Sequence, residues 1–310
     1  MMASRFPKNI FCTHGFRYVI VFLGFLFVCG LGVDTVCAQA PVPEEGSKTI
    51  SLQKQHSWAT FTPGVWKTVR IVSESFDKDG KSVETSITDL KSTLESLTDK
   101  GVKLRVEVCL WLAGRRLDPK PQNVEQGYHG EVGVFEKETI KELEPVDLTI
   151  EGKKISCKVR EITLTEPEAK RVRVVKLFFN EEVSPYLLRR ECKIRDTEKD
   201  VVLSETTMVV NSLDMPWESS GKLFSVAVVK TAKVTPKESM TSLTFLSSEV
   251  PGQMVYEATK EMDSQGKTIR QSVSRVTDFC VNPGTEKRPG ILQRLRKARE
   301  MNRGQMTEDR

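Results

Sequence analysis

Beyond residues 1–38 the chain has only two histidines, His56 and His129, and four cysteines, Cys109, Cys157, Cys192 and Cys280. A zinc site or a serine–histidine mechanism would have to use one of those imidazoles. No Gly-x-Ser-x-Gly elbow, phosphate-binding glycine loop or His-Glu-x-x-His pair is present. His129 sits in Gly127-Tyr128-His129-Gly130-Glu131. Flanking glycines let a backbone approach a ligand closely, which makes Tyr128 and His129 candidate ligand contacts. Such a glycine-flanked His-Glu is more often a turn carrying a surface imidazole, which is the expectation here. Asp77-Lys78-Asp79-Gly80 opens like a calcium loop but lacks the third Asp and the distal Glu, so hairpin turn chemistry is the expectation. The reading is a non-enzymatic protein with no catalytic residue, no metal ligand and no cofactor.

No Cys-x-x-Cys pair occurs, which excludes a thioredoxin-like motif or a zinc ribbon. An exported chain meets an oxidising compartment, where disulfides are allowed. Cys157 alternates with Ile155 and Val159, and Cys192 with Leu188 and Ile194. Both cysteines are expected to face the core, so Cys157–Cys192 is the first bridge to consider, with buried free thiols as the alternative.

The elements that must position these residues are strands. Val102, Leu104, Val106, Val108, Leu110 and Leu112 alternate with Lys103, Arg105, Glu107, Cys109 and Trp111. That is an antiparallel strand with one dry and one wet face. Three segments of similar layout, 63–97, 184–213 and 250–279, each read as a hairpin led by proline, with Asp at the bend. Residues 82–97 are read as strand, although Leu90, Leu94 and Leu97 also suit a helix. Residues 135–143 are read as a short helix. The predicted fold class is mainly β: a large curved antiparallel sheet, a half-barrel built of repeated hairpins, with one or two short helices. Twist accumulating over so many strands must curl the sheet.

Domain organisation follows from composition. Residues 1–38 have a basic start, an apolar run over 18–33 and small residues near Ala38, the order of a secretory signal peptide. Cleavage is expected after Ala38, with Ala40 a second choice and an uncleaved anchor the alternative. Residues 39–57 form a polar linker, 58–280 the β domain and 281–310 a basic tail. The chain is therefore expected in the periplasm, cell envelope or extracellular space. Net charge is +5, of which Arg5, Lys8 and Arg17 against Asp34 lie in the leader. The remainder is too weakly basic, and 7% aromatic residues too few, to imply nucleic acid as a partner.

Val250-Pro251-Gly252 with Met262-Asp263-Ser264-Gln265-Gly266, and Ser184-Pro185-Tyr186 with Arg195-Asp196, carry a resemblance. After a leader peptide, this pattern resembles the half-β-barrel envelope proteins of the LolA lipoprotein-carrier type, and also secreted proteins of planctomycete-type bacteria. The resemblance implies binding of a lipid or a lipidated protein in a curved sheet. The apolar strand face of Val102, Leu104, Val106 and Val108 would then line the cleft. The alternative is a structural or interaction module of the envelope, whose basic tail meets an acidic envelope component.

Overall fold

The computed structural model describes residues 56–99, 101–128, 137–166, 169–219 and 221–283. Among these described residues fourteen antiparallel strands form one sheet. In chain order they are β1 (Trp66–Phe76), β2 (Ser82–Leu97), β3 (Gly101–Leu112), β4 (Arg115–Leu117), β5 (Gln122–Gly127), β6 (Lys137–Ile150) and β7 (Lys153–Glu166). There follow β8 (Arg171–Phe179), β9 (Leu187–Asp196), β10 (Val201–Ser219), β11 (Lys222–Val234), β12 (Glu238–Leu246), β13 (Met254–Asp263) and β14 (Thr268–Cys280). The spatial order is β4-β3-β2-β1-β14-β13-β12-β11-β10-β9-β8-β7-β6, with β5 also on β3. Along this order each neighbour is joined by a hairpin except β1 and β14, the first and last strands, while the pairing of β5 with β3 skips β4 in the chain.

Turn chemistry sets the hairpins. The Asp77 carboxylate accepts from the amides of Asp79 and Lys81 at 2.8 and 2.9 Å, and Asp263 accepts from Gln265 and Lys267 at 2.9 and 3.0 Å. Asp196 does the same with Glu198 and Lys199. An Asp that holds its own turn in this way mimics a backbone turn and fixes the register of the strands it joins. The 77–80 segment is accordingly a hairpin turn, its leading carboxylate occupied by backbone amides.

The sheet curls. Strands β6 and β10 stand four positions apart, about 19 Å in a flat sheet. Yet the Leu213 amide of β10 donates to the Glu151 carboxylate in the β6–β7 turn at 3.3 Å, and Ile150 shares a core with Val210. Likewise Val69 and Ile71 of β1 pack with Phe224 and Val226 of β11, again four strands away. The ends do not meet: among the described residues β6 pairs only with β7.

Strand β7 shows how one strand serves two cores. Cys157 and Val159 enter the cluster containing Ile150 and Leu188, whereas Ile162 and Leu164, of opposite parity, enter the cluster with Val175 and Phe179. Its two halves bury opposite faces.

The helix expected over 135–143 is corrected where it is described: 137–143 begin β6. Ile140 lies opposite Ile162 and Leu143 opposite Val159, so pairing with β7 overrides a local composition that suits a helix. Residues 82–97 are strand throughout, and the Leu90 and Leu94 side chains lie on one face of it.

Candidate functional site

Two arrangements stand out. The first lies on the outer face of β12, β13, β14 and β1. Direct cross-strand partners place Leu243 beside Ala258, Ala258 beside Val273, and Val273 beside Val72. The row continues through Ile87 to Trp111. Val72 and Trp111 are each 41% exposed, and Leu243 and Ile87 38%. A groove of about 820 Å3 opens over the first four strands of this row. Its flanks carry Arg70, Arg275, Lys260, Glu74 and Gln271. Arg70 is clamped by both oxygens of Asp89, at 2.8 and 3.0 Å. Gln271 donates to Glu74 at 2.8 Å, and the Arg275 guanidinium lies 5.7 Å from the Tyr256 ring centre.

The reverse face of these strands is the buried one, and alongside the apolar Ile71 and Met240 it carries a row of hydroxyls. Ser73 lies opposite Ser272, Ser272 opposite Thr259, Thr259 opposite Ser242, and Ser242 opposite Thr231. Ser73, Ser272, Ser242 and Thr231 are buried. The polarity is thus inverted here: hydroxyls face in, and aliphatic side chains face solvent. Exposed apolar surface with a charged rim is the usual mark of a binding site.

The second arrangement is a buried cation. The chain over 56–65 folds back onto β2 and β3, pinned by Gly64 N–H to Leu94 O at 2.7 Å and Leu94 N–H to Val65 O at 2.9 Å. This lays Trp58 over the core of Leu94, Val102 and Leu104. The Trp58 ring meets Lys67, whose Nζ stands 5.5 Å from the ring centre and donates to Gly252 O at 3.3 Å. Burial lowers the Lys67 amine to about 7, against the pull of the Glu257 carboxylate. Burial raises Glu257, while the Thr244 and Ser242 hydroxyls oppose the shift. His56, beneath Tyr128 at 6.1 Å, is lowered to about 4 by burial, with Gln126 opposing. Its Nδ1 accepts from the Trp58 amide at 3.3 Å, which fixes the neutral tautomer.

The sequence-derived candidates fall elsewhere. Val102, Leu104 and Val106 are fully buried under Trp58, Val65 and Tyr128, with Val108 packed at the edge of the same cluster. The chain's own residues fill that face. Tyr128 is buried and its hydroxyl donates to the Thr98 carbonyl, a structural bond. His129 lies outside the described residues. Among the described residues Cys109, Cys157, Cys192 and Cys280 form no disulfide. Cys192 lies opposite Val175, and Val175 opposite Ile162, which puts Cys192 on the other face of the sheet from Cys157. The pairing expected between them fails because the sheet is covered on both sides at this point. Among the described residues no group of three His, Cys, Asp or Glu side chains could hold a metal ion.

No family model and no curated protein matches the chain. Among solved structures, a Bacteroides fragilis protein described as exported, with a YmcC-like fold, aligns over 71% of this chain and 97% of its own at 9% identity, TM-score 0.29. MucB, solved in complex with periplasmic MucA, aligns over 75% and 94% at 10% identity, TM-score 0.19. Both values are too low to carry an argument about this chain. Among the described residues no helix is long and apolar enough to cross a membrane.

Sequence reading missed the groove, Lys67 and Gly252. One signal was available. In β14 the run Ser272-Val273-Ser274 alternates hydroxyl with aliphatic, and such a strand has an apolar face whichever side is interior.

Proposed function

We propose that this chain is a non-enzymatic, exported binding protein of the cell envelope. It takes an apolar ligand, or the lipid of a lipidated partner, in the groove over β12, β13, β14 and β1. The carrying observation is the inverted polarity: Val72, Val273, Ala258 and Leu243 line an open groove of about 820 Å3 while the facing interior is hydroxyl-rich. Covering aliphatic surface of this kind stabilises a complex by roughly 25 cal/mol per Å2. The cations Arg275 and Lys260 on its flanks suit an acidic headgroup. Export rests on the leader-like order of residues 1–38, and the groove suits the ligand class that the LolA-type resemblance implies, on the opposite face of the sheet from Val102, Leu104 and Val106.

The test is titration of the folded protein with a fluorescent long-chain fatty acid. Saturable binding that is lost in Leu243→Asp supports the reading. Absence of saturable binding, or binding that Leu243→Asp leaves intact, overturns it.

A further inference from the structure

The two ends of the sheet are finished differently. At one end β3 is flanked by the short strands β4 and β5. At the other, β6 runs 14 residues as the last strand, and among the described residues nothing pairs with its outer side. A long edge of this kind presents a row of backbone donors and acceptors, a template for an added strand. The register of β6 on β7 shifts between Leu143 and Val146, where Pro145 sits. At that bulge a cavity of about 380 Å3 opens, with Leu143, Pro145, Val159 and Phe179 as its apolar lining. Its charged members are mutually paired, Arg160 with Glu142 at 2.6 Å and Lys158 with Glu181 at 3.1 Å. Ile140, Leu143 and Val146 along the edge remain 38–43% exposed.

The charge on this edge selects the occupant. Strand β6 carries Glu138, Glu142, Glu144 and Asp147 against Lys137 and Lys141. Glu144 and Asp147 have no cationic partner within salt-bridge reach among the described residues. We propose that β6 is a docking edge for an extended, basic polypeptide segment of a partner protein. The segment adds to the sheet as one more antiparallel or parallel strand and places an apolar side chain in the cavity at the Pro145 bulge. Main-chain pairing supplies affinity in such complexes and the side-chain pocket supplies specificity. A second copy of this chain fits less well, because two β6 edges would bring like net charge together.

The probe is a short synthetic peptide of alternating lysine and valine with one phenylalanine, titrated against the full chain by fluorescence anisotropy. Three comparisons accompany it: the same peptide N-methylated along one edge, the same peptide with glutamate for lysine, and the Glu144→Lys/Asp147→Lys variant. Strand addition predicts binding that weakens about tenfold or more in each comparison, with the circular dichroism of the variant unchanged. Equal binding of the N-methylated peptide shows charge attraction without strand pairing and overturns the proposal. So does failure of the lysine peptide to bind, or dimerisation of the chain through β6 that the peptide cannot displace. Val72→Asp should leave this binding intact, which keeps the edge and the groove experimentally separate.

Discussion

Lys67 Nζ donates to the carbonyl oxygen of Gly252 at 3.3 Å, so a cation at the start of β1 closes on the turn that precedes β13. The amine is lowered from 10.5 to about 7 by burial. The unfolded chain therefore binds a proton in that interval which the folded chain does not. Stability should rise with pH from about 7 to 10, by on the order of 1 kcal/mol per unit from this group. Glu257, raised by burial, acts in the opposite sense. Comparison with Lys67→Met isolates the lysine: denaturant midpoints across this range should lose their upward slope in the variant. An unchanged slope would show that Lys67 keeps its charge when folded.

Gly252 is fixed by what surrounds it. Its φ is +67°, and an added Cβ would stand 2.7 Å from the Trp58 ring and 2.9 Å from Lys67 Nζ. Gly252→Ala combines left-handed strain with a clash against a buried indole. The expected cost is about 2–4 kcal/mol, read as a lowered thermal midpoint. Gly152→Ala, also at positive φ but with open space around it, should cost about 1 kcal/mol, the strain alone.

Local chemistry was legible in the sequence and long-range geometry was not. Asp77, Asp196 and Asp263 announce their hairpins because an Asx turn needs only its own neighbours. The alternation of Val102, Leu104 and Val106 announces a strand with a buried face. What lies on that face is decided by Trp58, folded over from a preceding loop, and no period in the sequence encodes that return. Val72 and Val273 become neighbours only when β1 closes on β14. Which face of those strands is interior depends on the curl of the whole sheet. The pairing of Cys157 with Cys192 failed for the same reason: alternation within each strand is visible, but their relative faces depend on register across β8.

His56 should make the fold acid-sensitive. Its imidazole is lowered from 6.5 to about 4 by burial, so the unfolded chain binds a proton through that interval that the native chain excludes. Stability contributed by the neutral ring is present above pH 6.5 and is lost as pH falls through 4. The loss amounts to roughly 3 kcal/mol. His56→Asn keeps an acceptor for the Trp58 amide and cannot titrate. Its unfolding free energy should fall less steeply between pH 7 and 4 than the wild type's. Parallel curves would mean that His56 is protonated in the native state.

Val72 offers the sharpest separation of function from fold. It lies in a central strand with Val273 on one side and Ile87 on the other, yet 41% of its surface is exposed. An aspartate there remains hydrated, so Val72→Asp should cost only about 1 kcal/mol of stability through lost β preference and side-chain packing. In the groove, the same carboxylate would lie beneath any bound acyl chain and would have to shed water without a partner. Arg70, the nearest cation along β1, is already held by both oxygens of Asp89. Affinity for a fluorescent fatty acid should therefore drop at least about tenfold, while Val72→Thr, which keeps the shape, should fall between the two. If Val72→Asp binds as tightly as wild type, the apolar row is not the ligand surface.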